Sequence, residues 1–405
     1  MNSEVLQKSL ALSDYITKAK RRIHSNPELG MEEFETTAFV KSELQSMGIK
    51  IIPLSEKVGV LGIIDGKGTG EGKVIALRAD MDALPIQETA DVPDISTVPG
   101  VMHACGHDCH TAMLLGAAKL LSSMTDRFSG RVKLLFQPAE EGLGGARYMI
   151  KEGALDAPKV DYVLGIHGHP GFYVGEIAFR SGPSMASTDM FTVTMTGKSG
   201  HGAYPHRVGS DPVLAASNAV MAIQSILTRQ IDAIDSVVIS VCQINGGTAK
   251  NIIPEKVEFS GTVRCQNPEL RSFIERSLRN VVQSTAAIYK CTAGLDYIYG
   301  VPPLINSREV VEIAQKSAVK AFGAERVKHI DIPAMGSEDF AEYLQVVPTG
   351  AFARLGVRTE GEEPPVFHNG GFVFPEGALP YGTAFFVQFV LDVNGETGTS
   401  RGEEF

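Results

Sequence analysis

Three short apolar runs, at residues 74–77, 132–136 and 160–166, each end in acidic or histidine side chains, with helical stretches between them. No other feature of the chain restricts its fold as much. The first run leads into Arg78-Ala79-Asp80-Met81-Asp82, the second into Gln137-Pro138-Ala139-Glu140-Glu141-Gly142, and the third into His167-Gly168-His169. Apolar helical stretches at 111–121 and 145–152 separate them. Strands alternating with helices specify an α/β sheet. Sites in such sheets form just beyond the C-terminal ends of the strands, so these distant polar groups are expected to converge.

The flanking segments define domains. Leu12, Tyr15, Ile16, Ala19 and Ile23 recur at helical spacing, and Pro27 and Gly30 end that helix. A second helix is expected over 33–47. Beyond Pro183 the pattern changes to strand 191–196, helix 211–227, strands 237–244 and 256–264, helix 269–289 and strand 295–299. The order β-α-β-β-α-β is that of a ferredoxin-like unit. The expected organisation is a catalytic domain built from 1–183 and 300–405, with an inserted α+β domain at 184–299. The catalytic domain should hold a central mixed sheet flanked by helices. Its last segment should carry helices at 308–322, 338–344 and 379–391.

One run stands out chemically. Met102-His103-Ala104-Cys105-Gly106-His107-Asp108-Cys109-His110 gathers three histidines, two cysteines and an aspartate. Thiolate and imidazole are favoured ligands of zinc and other first-row cations. A closed structural zinc site would need four such ligands, whereas acids and histidines at other strand ends point to an open site. In Glu140-Glu141, one carboxylate can bind metal while its neighbour moves a proton. His167, His169 and His368 carry little signal singly and gain it from their positions. In the inserted domain, His201 in a glycine-rich loop, Asn251 before Ile252-Ile253-Pro254, and Arg264 at a strand end suit a lid that holds a carboxylate and an oxyanion.

Composition removes other classes. The formal charge of -10 argues against nucleic acid, whose binding needs clustered Lys and Arg. Five cysteines in 405 residues make an odd, sparse set, which suggests a reducing compartment. The N-terminus lacks an apolar signal core and no stretch approaches the ~18 apolar residues of a membrane span. A cytoplasmic protein is expected. There is no nucleophile elbow, no His-Glu-x-x-His and no Walker loop.

Several stretches together resemble the M20 metallopeptidases, in the branch of aminoacylases, hippurate hydrolases and auxin-conjugate hydrolases. They are His24-x-x-Pro27-Glu28-Leu29-Gly30, Arg78–Pro85, Met102–His110, Gln137–Glu141, Gly200-His201-Gly202-Ala203-x-Pro205-His206, Asn251–Pro254 and Gly336–Phe340. The resemblance spans nearly the whole chain. It implies Cys105, His107, Glu141, His167 and His368 as ligands of two divalent ions per subunit (Mn, Zn, Co or Ni), with Cys105 in the place of a bridging aspartate. It implies Glu140 as the general base, Asp80 as the acid that orients the site, with Asp82 the alternative, and His201, from its own or a neighbouring subunit's lid, as stabiliser of the tetrahedral intermediate. Asn251 and Arg264 would contact the substrate carboxylate, and the inserted domain would be the lid through which a homodimer or homotetramer forms. The implied reaction is hydrolysis of the amide bond of a small N-acyl-L-amino acid. An N-acetyl-diaminopimelate-type deacylase or a dipeptidase would use the same residues, and a metal- or ligand-binding protein on a hydrolase scaffold is the non-enzymatic reading. Gly168-His169 departs from relatives, which often carry a bulkier or different polar residue there.

Overall fold

Strands Val74–Asp80 and Arg131–Gln137 are buried along nearly their whole length in a computed structural model that describes residues 3–395. A strand covered on both faces reads as a continuous apolar run, which is why these were legible. They lie inside an eight-stranded mixed sheet of order 50–52, 60–65, 131–137, 74–80, 162–173, 350–358, 177–179, 327–329. Val74–Asp80 is parallel to both of its neighbours. Tyr162–Tyr173 is also parallel to Gly350–Arg358. All four central strands therefore deliver their C-terminal ends to one side.

Helices cover the sheet. The helix His107–Ser122 is almost entirely buried and packs against Leu379–Asn394, where the Thr383 hydroxyl donates to Met113 O at 2.9 Å. Truncating a core leucine such as Leu114, which is fully buried, would cost about 2–5 kcal/mol. The opening helical segment is two helices, Glu4–Ala11 and Ser13–His24, the first capped by the Ser3 side chain.

The chain divides into two compact units. The first holds the residues up to Gly182, Asn306–Asp331 and those from Glu342. The second holds Pro183–Ile305 and Ile332–Ala341. The sequence pattern assigns 332–341 to the catalytic part. This segment instead bonds to the start of the second unit, with Ala334 N donating to Ser184 O at 2.9 Å and Ala186 N to Gly336 O at 3.0 Å. Residues 1, 2 and 396–405 of the expected catalytic segments lie outside the described residues.

The second unit has a four-stranded antiparallel sheet of order Val237–Gly246, Lys256–Cys265, Asp189–Thr196, Thr292–Tyr299. Helices Pro212–Arg229 and Pro268–Ile288 pack on its strands. Each begins with proline after a capping side chain, Asp211 for the first and Asn267 for the second. Proline at the first helical position has no amide to leave unpaired. This is the ferredoxin-like arrangement expected. Among the described residues no helix is long and apolar enough to cross a membrane.

Candidate metal centre

Gly106 stands between Cys105 and His107 with φ +83°, and the helix His107–Ser122 starts immediately after it. A side chain there would be strained, and its Cβ would lie 2.6 Å from the Phe374 ring. The sharp turn places Cys105 before the helix and His107 at its first position.

His107 is fully buried. Its Nδ1 meets Asp82 Oδ1 at 3.1 Å. A carboxylate accepts, so Nδ1 carries a proton and Nε2 is the nitrogen left to face a cation, which would take the place of its proton. Nε2 has no hydrogen-bond partner, and Asp80 Oδ2 is 3.7 Å away. His167 follows the same logic: its Nδ1 donates to Gly168 O at 2.8 Å, and its Nε2 faces Cys105 Sγ at 3.3 Å. Fixing one ring nitrogen so that the other can bind is how proteins orient metal-ligating histidines.

Glu141 and His368 come from the loop after Arg131–Gln137 and from the segment before the last helix. Their Oε1 and Nε2 stand 3.2 Å apart, yet Glu141 Oε1 is buried without a hydrogen bond. The two atoms stand at ion-pair distance, with Glu141 raising the His368 pKa, and a cation bound between them would replace the shared proton. His368 is exposed and has φ +57°, held by its amide donating to Ala104 O at 2.9 Å. Cys105, His107 and His167 bring their donor atoms within 4.8 Å of one another, as do Cys105, Glu141 and His368, and His107, Glu140 and Glu141. The five expected ligands and Glu140 therefore meet.

The electrostatics favour positive charge. Burial alone would lower the His107 pKa, but Asp80, Cys105 and Asp82 outweigh it and raise it well above the ordinary value. Burial pushes the Cys105 thiol up against the pull of His107, so a thiolate there needs a cation. Burial lowers His167, aided by His110 and Arg354, leaving the neutral imidazole a ligand requires.

The two aspartates divide the work. Asp82 holds His107 and, through Oδ2, accepts the Glu141 amide at 2.9 Å. Burial would raise its pKa, but these hydrogen bonds lower it. Asp80 binds Arg78 at 2.6 Å and His110 Nδ1 at 2.6 Å. His110 Nε2 accepts the Gly168 amide at 3.1 Å, which ties Asp80 to the strand that carries His167. The resemblance implies Asp80 as the orienting acid with Asp82 the alternative; the carboxylate that meets both candidate-ligand segments is Asp82.

In the sequence His110 stands only as part of the Met102–His110 run. The signal was its spacing, three residues after His107 on one helix face. His24 was likewise unassigned. It lies between Asp108 Oδ2 at 2.8 Å and Glu88 Oε1 at 3.0 Å, bracing the residue next to His107. Cys109 lies in the core, and His103 is buried beside His24, ring centroids 6.3 Å apart, and belongs to none of the candidate ligand sets. His167 and His169 lie inside the strand Tyr162–Tyr173, not beyond its end, because pairing with Gly350–Arg358 runs on to Tyr173. Pairing with Val74–Asp80 stops at Gly165, so His167 lies just past that edge. Gly168 has its own reason: a Cβ would sit 2.7 Å from Phe374. His169 accepts the Gly171 amide at 3.1 Å and belongs to none of the candidate ligand sets.

In the second unit, His201 pairs opposite Ile252, and the Gly202 amide donates to Asn251 O at 2.7 Å, so these loops adjoin. His201 Nδ1 accepts the Ala203 amide at 3.1 Å, which leaves the ring proton on the exposed Nε2. Arg264 is half-buried and donates to Thr262 Oγ1 at 2.5 Å.

Thiol, imidazole and carboxylate donors converging at the C-terminal ends of parallel strands, with a second carboxylate beside them, define a metal-dependent hydrolase. Similarity to known proteins agrees: residues 76–392 match peptidase family M20/M25/M40, and the chain belongs to that family. N-acetyl-L-cysteine deacetylase of Bacillus subtilis (strain 168) is 40% identical over 385 residues, covering 94% of this chain and 89% of that one. IAA-amino acid hydrolase ILR1-like 2 of Arabidopsis thaliana is 39% identical over 388 residues, covering 95% and 86%. The crystal structure of the Bacillus subtilis YXEP protein, a dinuclear metal binding peptidase from the M20 family, matches with a TM-score of 0.83. Its identity is 32%, covering 94% of this chain and 98% of that one.

Proposed function

We propose that this chain hydrolyses the amide bond of small N-acyl-L-amino acids, releasing a carboxylic acid and a free amino acid. One observation carries the reading: Cys105 belongs to two ligand triads, one with His107 and His167, the other with Glu141 and His368. Two divalent cations sharing one thiolate fit that donor set, and Mn, Zn, Co and Ni all suit it. Bound there, such ions supply Lewis acidity to water and to an amide carbonyl. The names of the relatives, a deacetylase of N-acetyl-L-cysteine and a hydrolase of IAA-amino acids, support an acylated amino acid as substrate.

Glu140 lies beside the triads, with its carboxylate within 4.8 Å of the His107 and Glu141 donor atoms. In this reading it takes the proton of the attacking water and returns it to the leaving amine, help worth about 10²–10⁴-fold in rate. His201 donates from Nε2 to the oxyanion, and Asn251 and Arg264 bind the amino-acid carboxylate. The second unit serves as the lid and as the contact between subunits of a homodimer or homotetramer, and the protein works in the cytoplasm.

Elemental analysis coupled to a hydrolysis panel tests the reading. Glu140→Ala should abolish turnover of N-acetyl amino acids with metal content unchanged, and Cys105→Ala should strip metal. Loss of metal from Glu140→Ala, or full occupancy in Cys105→Ala, would mean the roles are misassigned. Activity on dipeptides or N-acetyl-diaminopimelate alone would replace the substrate and keep the chemistry.

A further inference from the structure

The segment from His24 to Glu33 contributes none of the proposed ligands or bases, yet its Glu33 is fully buried. The Glu33 Oε1 accepts the Ala139 amide at 2.8 Å. Oε2 is buried with no hydrogen-bond partner. Ala139 immediately precedes Glu140 and has φ +56°, a left-handed conformation that costs an alanine about 1–2 kcal/mol. Such backbone persists only where its surroundings enforce it. Here both sides of the residue are held: its amide by Glu33, and its carbonyl by the Gly145 amide at 3.1 Å. Glu33 is itself fixed, because the Glu28 carboxylate accepts the amides of Glu35 and Thr36 at 2.9 and 2.8 Å, and Glu28 O accepts the Ala83 amide at 2.8 Å. Burial, with Asp82 nearby, pushes the Glu33 carboxyl up to about 8. It sits there as a neutral acid whose carbonyl oxygen is the acceptor.

We propose that Glu33 is a positioning residue for the hydrolytic reaction, holding the Ala139 backbone in its left-handed turn so that Glu140 is aimed at the reacting water. The proposal rests on the reading of Glu140 as the general base. It needs only an acceptor at this point, not a charge.

Glu33→Gln and Glu33→Met, both close to glutamate in size, separate the possibilities. Gln keeps a carbonyl oxygen for the Ala139 amide, and Met does not. With two Zn²⁺ bound per subunit, Glu33→Gln should keep kcat on an N-acetyl amino acid within about threefold. Glu33→Met should lose kcat by roughly 10²-fold, the cost of a misplaced catalytic group, with KM and zinc content near wild type. Wild-type kcat in folded Glu33→Met, or an equal loss in folded Glu33→Gln, overturns the proposal. Should Glu33→Met not fold, Glu33→Leu, which also lacks an acceptor for the Ala139 amide, takes its place with the same expected loss of kcat. Glu140→Ala is measured in parallel: turnover by that variant would sink the general-base reading, whereas a dead Glu140→Ala beside an active Glu33→Met sinks only the positioning role.

Discussion

Asp82→Asn tests the construction of the metal centre most directly. Asp82 is 2% exposed; its Oδ1 meets His107 Nδ1 at 3.1 Å and its Oδ2 accepts the Glu141 amide at 2.9 Å, with the neighbouring Glu140 amide a further donor to the carboxylate. Asparagine has a single oxygen. Whichever way it turns, its amide group faces one donor, either the ring N–H that sets the His107 tautomer or the amide that fixes Glu141. A hydrogen bond to a charged group is worth about 1.5–3 kcal/mol. At about 1.4 kcal/mol per tenfold, its loss weakens cation binding roughly 10–100-fold, the range usual for partners of metal ligands. Competition with a chromophoric zinc chelator reads the affinity, and circular dichroism checks that the variant is folded. A folded Asp82→Asn that holds both ions with wild-type affinity would refute the idea that Asp82 organises the two triads.

Asp80→Asn should act differently, through the fold. Arg78 is 1% exposed, and removing the adjacent charge from a buried pair costs about 3–5 kcal/mol, visible as a lower urea midpoint in metal-free protein. Gly168→Ala drives a Cβ to 2.7 Å from Phe374 and should destabilise by about 1–3 kcal/mol. Adding Phe374→Leu should recover part of that loss in thermal unfolding, and purely additive effects would count against the contact. Glu33 supplies a pH signature. The unfolded chain releases its proton near 4.5 and the folded chain at about 8. Its contribution is complete below the first value and drains away as pH rises through the second. In chelator-treated protein, Tm of wild type relative to Glu33→Gln should therefore fall from pH 5 to 8, and a flat difference would contradict the burial.

Much of this protein was written locally. The runs at 74–77 and 132–136 are apolar because both faces of those strands are covered, and the order of elements after Pro183 spelled out the ferredoxin-like unit. The dense run from Met102 to His110 announced metal chemistry because thiol and imidazole rarely crowd together otherwise. One central strand went unread: Gly350–Arg358 lies in the middle of the large sheet, but Arg354 and Gly356 interrupt its apolar run. Sequence alone determined which side chains were available and that strand ends would gather them. Tertiary structure alone decided which atoms meet. That Asp82 rather than Asp80 spans His107 and Glu141, that His110 reaches back to Asp80 and Gly168, and that Glu33 supports Ala139 across 106 residues of chain are all contacts between distant segments. Local propensity cannot encode them, because side-chain direction and hydrogen-bond geometry are set by how the sheet and helices pack.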